Sequence, residues 1–112
     1  MSGKEGRMRE EERIDSLWLC SLPGIGPASI RKLVRAAGAP REVRKLSEAS
    51  LDALLGKKRA ECVLRGQTGK KREEAARLLE LYDKKGILFL PFWDEKYPVR
   101  LKMLPDAPAA LY

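Results

Sequence analysis

Hydrophobic residues between positions 14 and 37 recur every three or four residues, the spacing that places side chains on one face of a helix. Positions 14, 17, 18 and 22 predict a first helix, and positions 30, 33, 34 and 37 predict a second that ends at Gly38. The segment PGIGP at positions 23–27 separates them, because proline lacks an amide hydrogen and glycine accepts positive φ. The pattern therefore predicts two helices joined by a five-residue hairpin.

The helical pattern continues as far as Gly86. Residues 39–46 predict a short turn or helix, and Ser47 is placed to cap a helix that ends at Gly56. A further helix over 57–65 follows, and Thr68 is placed to cap the longest one, over 69–85. We predict that residues 14–86 form an all-α domain of about five short helices. Residues 1–13 are charged and lack apolar periodicity, so we expect a flexible lead-in there.

Residues 87–112 show a different pattern, which we call the tail. The apolar run ILFL at 87–90 predicts a strand that is buried on both faces. Four prolines follow it, and the ending ALY predicts a second short strand. Because strands need neighbours, we expect an extended tail whose one or two short strands join a sheet outside this chain. The chain is accordingly interpreted as a fragment of a longer protein or a truncated reading frame.

The composition describes one small globular domain with an excess of positive charge. The chain has 112 residues, of which 44% are hydrophobic and 35% are charged, so one compact core is expected. Lys and Arg number 23 against 16 Asp and Glu, and the net charge of +7 falls within residues 14–86. This excess favours a polyanionic partner. A solvated basic face without a partner is the alternative interpretation.

Several classes of protein are excluded by the residues that the chain lacks. Histidine is absent, and Cys20 and Cys62 lie far apart, which excludes zinc fingers, disulfide scaffolds and histidine-based catalysis. We predict that the cysteines are small buried helix residues, and we expect no enzyme activity, no metal and no cofactor. No apolar run matches a membrane span or a secretion signal, so we expect no membrane partner and a cytoplasmic location.

The hairpin at positions 23–27 is the part of the sequence that most clearly suggests a binding site. Two glycines flank Ile25, so the backbone can turn its amides outward while Ile25 fills the core. The next helix adds unpaired amides, a positive dipole end and cationic side chains, a combination that suits phosphate. The predicted DNA-binding residues are Gly24, Ile25, Gly26, Ala28, Arg31, Lys32 and Arg35. The alternative is a tight turn between helices that binds nothing.

The segment LPGIGP with its flanking helices resembles the helix-hairpin-helix family of sequence-independent DNA-binding modules. The resemblance implies that Gly24 and Gly26 offer amides to a nucleic-acid backbone, with Ile25 in the core. That family usually pairs two such motifs. The second half here, LDALLGKKRAECVLRG, keeps the helical rhythm and Gly56 but has no Gly-apolar-Gly triplet.

A wider resemblance covers nearly all of the chain after residue 13. The order of LWLCSLPGIGP, DEKYPVRL at 94–101 and PAALY at 108–112 is similar to the N-terminal region of the bacterial DNA processing protein A family, DprA or Smf. It implies that the tail is the linker and start of a Rossmann-like domain that this chain lacks. In the family, that domain binds single-stranded DNA and supports dimerisation and recombinase loading during natural transformation.

We therefore expect a non-enzymatic, sequence-independent DNA-binding accessory domain of a DNA processing protein A-like factor, involved in DNA uptake, natural transformation and recombination. It is expected to be a monomer that contacts the phosphate backbone weakly, with a recombinase as partner of the absent domain. The alternatives are a protein-interaction or packing module that regulates or positions the absent domain without touching DNA, and a substrate-positioning domain of a repair nuclease. Trp93 and Tyr97 are predicted to anchor the tail onto a neighbouring domain, with stacking on unpaired bases as the alternative.

Overall fold

Helices dominate the part of the chain that the structure describes, which is residues 10–112 of a computed structural model. The helices are α1 (Glu10–Cys20), α2 (Pro27–Ala37), α3 (Pro40–Val43), α4 (Glu48–Leu55), α5 (Lys57–Gly66), α6 (Gly69–Lys85) and α7 (Val99–Lys102). The strands β1 (Leu90–Pro91) and β2 (Ala110–Leu111) form a small antiparallel sheet. A mainly helical fold is therefore confirmed. No helix within residues 10–112 is long and apolar enough to cross a membrane.

The core is built around α1. This helix packs most extensively against α6 and also contacts α2, α3 and β1. Leu17 and Leu19 are fully buried, and Trp18 is nearly so. The predicted lead-in covers residues 1–13, of which 1–9 lie outside the described residues. Residues 10–13 form the first turn of α1, where Arg13 pairs with Asp83 of α6 at 3.4 Å.

The helix ends follow the capping residues that the sequence predicts. The side chains of Ser47 and Thr68 each accept a hydrogen bond from the backbone amide three residues later, at 3.2 and 3.3 Å. Gly38 and Gly86 follow the last residues of α2 and α6 in the left-handed conformation. These features are local along the chain, so the sequence alone is enough to predict them.

The described residues contain seven helices instead of about five. The segment predicted as a short turn or helix forms α3, where Pro40 supplies a φ that suits a first helical position. The other addition is α7, a single turn after Pro98 in a segment where no long regular element was expected.

The tail folds back onto the helices. The predicted strand over 87–90, buried on both faces, is wrong, because the strand covers Leu90–Pro91 and Leu88 is 59% exposed while Phe89 is buried. One face of this segment lies on the helices and the other faces solvent, which produces alternating burial. The partner of β1 is β2 of the same chain, with Leu90 opposite Leu111. That the tail joins a further sheet stays a prediction.

Two aromatic side chains hold the tail in place. Trp93 Nε1 donates a 2.9 Å hydrogen bond to Ser16 Oγ on α1, and the Tyr97 hydroxyl donates a 2.7 Å bond to the carbonyl of Pro108. Tyr97 is buried, and burial raises its pKa, so the hydroxyl remains a donor. Trp93 therefore anchors the tail to the helices of this chain, and Tyr97 closes the tail on itself.

A buried carboxylate ties three parts of the helical layer together. Asp15 on α1 has its Oδ1 2.7 Å from Nε of Arg72 on α6 and 2.8 Å from Nε of Arg44, which follows α3. The hydrogen bond to Asp15 raises the pKa of Arg72, so the guanidinium stays charged. Two arginines compensate one buried charge, which removes the penalty that an isolated buried carboxylate would carry.

Gly66, the last residue of α5, lies in close contact with Trp18 and Leu22. Trp18 Nε1 donates a 2.6 Å hydrogen bond to the carbonyl of Gly66 inside the core. A methyl group added at Gly66 would fall on Leu22 Cδ2, with Trp18 Nε1 3.9 Å away. These side chains can lie this close to the backbone of α5 because position 66 has no side chain.

Replacing Gly66 by alanine should destabilise the protein. We expect Gly66→Ala to lower the free energy of unfolding by about 1–3 kcal/mol, as overpacking does elsewhere. Gly69→Ala is the matched control, since it adds the same methyl group at a helix end where no atom lies within 4 Å. The control should be neutral or stabilising by up to about 1 kcal/mol. Urea unfolding measures both variants, and equal stabilities would contradict the packing argument.

Candidate functional site

The α1–α2 loop, residues 21–26, contains a bend that requires glycine at position 24. Gly24 has a φ of +82°, which side chains rarely adopt, and a Cβ there would lie 2.7 Å from Sγ of Cys62 on α5. Ile25 is half-buried and packs against the core. Gly26 is exposed, lies in the extended region with φ −89° and ψ 174°, and is the N-cap of α2. The loop is thus seated on α5 while its glycines face solvent.

Several backbone amides at this bend have no hydrogen-bond acceptor among residues 10–112. They belong to Gly24, Ile25, Gly26, Ala28 and Ser29. The first hydrogen bond of α2 runs from the Ile30 amide to the Gly26 carbonyl at 3.0 Å, and no side chain caps the helix. Unpaired donors at the positive end of a helix dipole attract an anion. Phosphate is therefore a chemically suitable ligand for this bend.

Two cations of α2 lie on the helix face that begins at these amides. Lys32 and Arg35 are exposed, and neither makes an ion pair with any residue in the described range. Together with Ala28 they repeat at i, i+4 and i+7, so they share one face, opposite the buried Ile30 and Leu33. Lys32 lies about one turn after the start of α2, whereas Arg35 lies in the last turn, about 10 Å further along the axis than Ala28. Lys32 is therefore the nearer of the two to an anion held at the start of α2.

Arg31, the third predicted cation, is engaged elsewhere. Its guanidinium donates hydrogen bonds to the carbonyls of Ala107 at 2.8 Å and Pro105 at 3.3 Å, and it lies 4.8 Å from the ring centre of Phe92. All three partners belong to the tail. The structure therefore places Arg31 in contact with the tail, whereas Lys32 and Arg35 are exposed. A DNA contact by Arg31 stays a prediction.

A second group of cations faces the α1–α2 loop from α5. A cleft of about 650 Å³, here called the basic cleft, is lined by Gly24 and Gly56, by the basic residues Lys57, Lys58, Arg59 and Arg65, and by one acidic residue, Glu61, which pairs with Arg65 at 3.9 Å. The amides of the first three residues of α5 also have no acceptor among residues 10–112, and no side chain caps that helix. Sequence reasoning assigned no binding role to these side chains. The sequence feature that could have indicated such a role is the run KKR directly after Gly56.

Known proteins offer no guide to this site, since no family model, curated protein or solved structure matches the chain. Within residues 10–112, no group of three or more His, Cys, Asp or Glu side chains is arranged to hold a metal ion. The unpaired amides of the α1–α2 loop and the cations around them are the features that point to a ligand.

The two cysteines differ in their surroundings. Cys20 lies against the tail, with Sγ 3.9 Å from the carbonyl of Ala109, and burial raises the pKa of its thiol to about 12. Cys62 lines the basic cleft beside Gly24. Because the thiolate is the nucleophile, the thiol of Cys20 should be unreactive near neutral pH.

Iodoacetamide at pH 8 should alkylate Cys62 well before Cys20. Burial raises the pKa of the Cys20 thiol to about 12, so at pH 8 very little of it is the reactive thiolate, whereas Cys62 is reachable from the cleft. Peptide mass spectrometry at timed intervals measures the two rates. The control is the urea-unfolded chain, in which both cysteines should react equally. Equal rates in the folded protein would contradict the burial of Cys20.

Proposed function

We propose that this chain is a non-enzymatic domain that binds DNA through the phosphate backbone, without reading base sequence. The observation that carries the proposal is the set of unpaired amides at Gly24, Ile25, Gly26, Ala28 and Ser29, which begin an uncapped helix. Backbone amides at a helix start are suited to phosphate oxygens, and they distinguish no base from another. In this proposal the α1–α2 loop and α2 act as a helix-hairpin-helix motif.

The charges around the loop support a phosphate ligand. Lys32 and Arg35 lie further along α2 from the loop amides, Arg35 in the last turn. Lys57, Lys58 and Arg59 line the basic cleft together with Gly24. In this proposal one phosphate accepts the loop amides while neighbouring phosphates of the same strand contact these cations. Such binding is weak, about 10⁻⁴ to 10⁻⁶ M at physiological salt, and it is strongly salt-dependent because counterions are released.

The wider role in this proposal is that of an accessory domain of a DNA processing protein A-like factor, acting in DNA uptake, natural transformation and recombination in the cytoplasm. The order of the loop, the DEKYPVRL segment and the PAALY ending supports it. A recombinase would be reached through a Rossmann-like domain outside residues 1–112. The chain itself carries the backbone contact and acts as a monomer.

Gly26→Asp should separate DNA binding from stability. Position 26 is an N-cap with extended backbone and open space around its Cα, so an aspartate fits there and caps the helix. The aspartate carboxylate would accept hydrogen bonds from the free amides and would repel a phosphate. We expect unfolding free energy to rise by a few tenths of a kcal/mol and affinity for a 12-nucleotide strand to fall about tenfold or more, since hydrogen bonds to charged groups contribute about 1.5–3 kcal/mol.

Gly26→Ser is the matched control for this experiment, because it caps the same amides without adding charge. Its affinity loss, measured by fluorescence anisotropy, should be smaller than that of Gly26→Asp. A folded Gly26→Asp protein with unchanged affinity would overturn the proposed contact.

Amide NMR shifts and salt dependence provide a second measurement. On titration with a DNA oligonucleotide, the amides of Gly24, Ile25 and Gly26 should shift most. Log affinity should fall with log salt at a slope of about −2 to −4, if two to four phosphates are neutralised. Lys32→Glu should weaken binding and reduce this slope. Lys85→Glu, at the C-terminal end of α6, which contributes no residue to the lining of the basic cleft, is the charge-matched control and should have a smaller effect.

A second candidate function is a protein-interaction module that does not contact DNA. It is favoured by the exposed apolar side chains in and after α7, where Val99 is 70%, Met103 79% and Leu104 48% exposed. Apolar side chains that lie together at a surface are typical of interaction sites. In that case DNA would leave the amides of the α1–α2 loop unshifted in the titration described above.

A further inference from the structure

An apolar cavity of about 490 Å³ lies beside the α1–α2 loop and is also lined by residues of α5 and α6. Its apolar lining includes Leu22, Pro23, Ala75 and Leu78, together with Trp18 and Cys62. Three charged residues line it as well: Arg65, which pairs with Glu61 at 3.9 Å, and Lys71 and Glu74, which pair with each other at 3.7 Å. The size falls in the range of small-molecule sites, which are also mostly apolar with a few polar groups.

The apolar cavity and the basic cleft meet at the α1–α2 loop. They share three lining residues, Gly24, Cys62 and Arg65. A phosphate at the Gly24 amide would therefore stand at the boundary between a cationic surface and an apolar hollow. A nucleotide likewise has a charged part and an apolar part, because its anionic phosphate is joined through one sugar to a flat and largely apolar base.

We propose that the apolar cavity takes one unpaired nucleobase of a strand whose phosphate is held at the α1–α2 loop. This inference rests on the proposed function, and it adds a preference for unpaired over paired strands. In a duplex the base is stacked and paired, so it is unable to enter a lateral cavity unless it is first extruded at a cost of a few kcal/mol.

The chemistry of the walls defines how the base is held. Trp18 is 2% exposed and already donates its Nε1 hydrogen to Gly66, so it presents no free ring face for stacking. The faces of the base would instead contact aliphatic groups of Leu22, Pro23 and Leu78. Apolar contact of this kind distinguishes bases poorly, which is consistent with binding that does not read sequence.

The test compares strands that differ in their bases but not in their phosphates. The unaltered protein is titrated at low salt with a 12-nucleotide thymidine strand, with an abasic strand of equal length, and with a 12-base-pair duplex, using fluorescence anisotropy. We expect the abasic strand to bind about fivefold or more weakly than the thymidine strand, at the lower end of what base contacts contribute on aromatic platforms. The duplex should also bind more weakly than the thymidine strand when the affinities are compared per phosphate group.

A filling variant locates the effect in the cavity. Ala75 is buried at the cavity wall, so Ala75→Leu extends a side chain into the hollow. It should lower the affinity for the thymidine strand to that of the abasic strand, while abasic binding stays unchanged. Ala76→Leu is the matched control on the next residue of α6, which does not line the cavity, and it should keep the base preference.

Each outcome decides the inference. Equal affinity for thymidine and abasic strands, or a duplex that binds as tightly as the single strand, overturns the base site and leaves the phosphate contact in place. A base preference that persists in a folded Ala75→Leu protein overturns its location. Failure of all three nucleic acids to bind overturns the proposed function itself. If Ala75→Leu does not fold, the comparison of strands on the unaltered protein still decides whether a base is bound.

Discussion

The close approach of Gly24 to Cys62 is the contact on which the candidate site depends. It seats the α1–α2 loop on α5, so that Gly24 of the loop and the start of α5 line one cleft. A side chain at position 24 would oppose this contact twice, through the positive φ and through the sulfur atom beside it. Gly66 has a comparable role deeper in the core, where the missing side chain admits Leu22 and the hydrogen bond from Trp18.

The cations of α2 have different surroundings because of where the tail lies. Arg31 bonds two tail carbonyls and covers Phe92, whereas Lys32 and Arg35 are exposed to solvent. The tail and the candidate site are therefore connected through one helix. The tail is further attached to α1 by Trp93, so it is an integral part of the described fold.

Local features of the molecule follow from the sequence. The caps at Ser47 and Thr68 and the left-handed glycines at 38 and 86 each depend on residues within one helical turn, and their positions were predicted correctly. The tail was predicted less well. A continuous apolar run such as ILFL suggests burial on both faces, but the number of faces covered depends on where distant helices lie, and Leu88 is exposed.

The sequence by itself determined helices α2, α4, α5 and α6 with the ends of these helices, the glycine bend and the excess of positive charge, because these depend on backbone preferences and on composition. The tertiary structure alone decided that Arg31 bonds the tail, that β1 pairs with β2, and that the cations of α5 stand opposite the α1–α2 loop. Each of these contacts joins residues far apart along the chain. The physical reason is that such partners are selected by the packing of the whole core, which no short segment encodes.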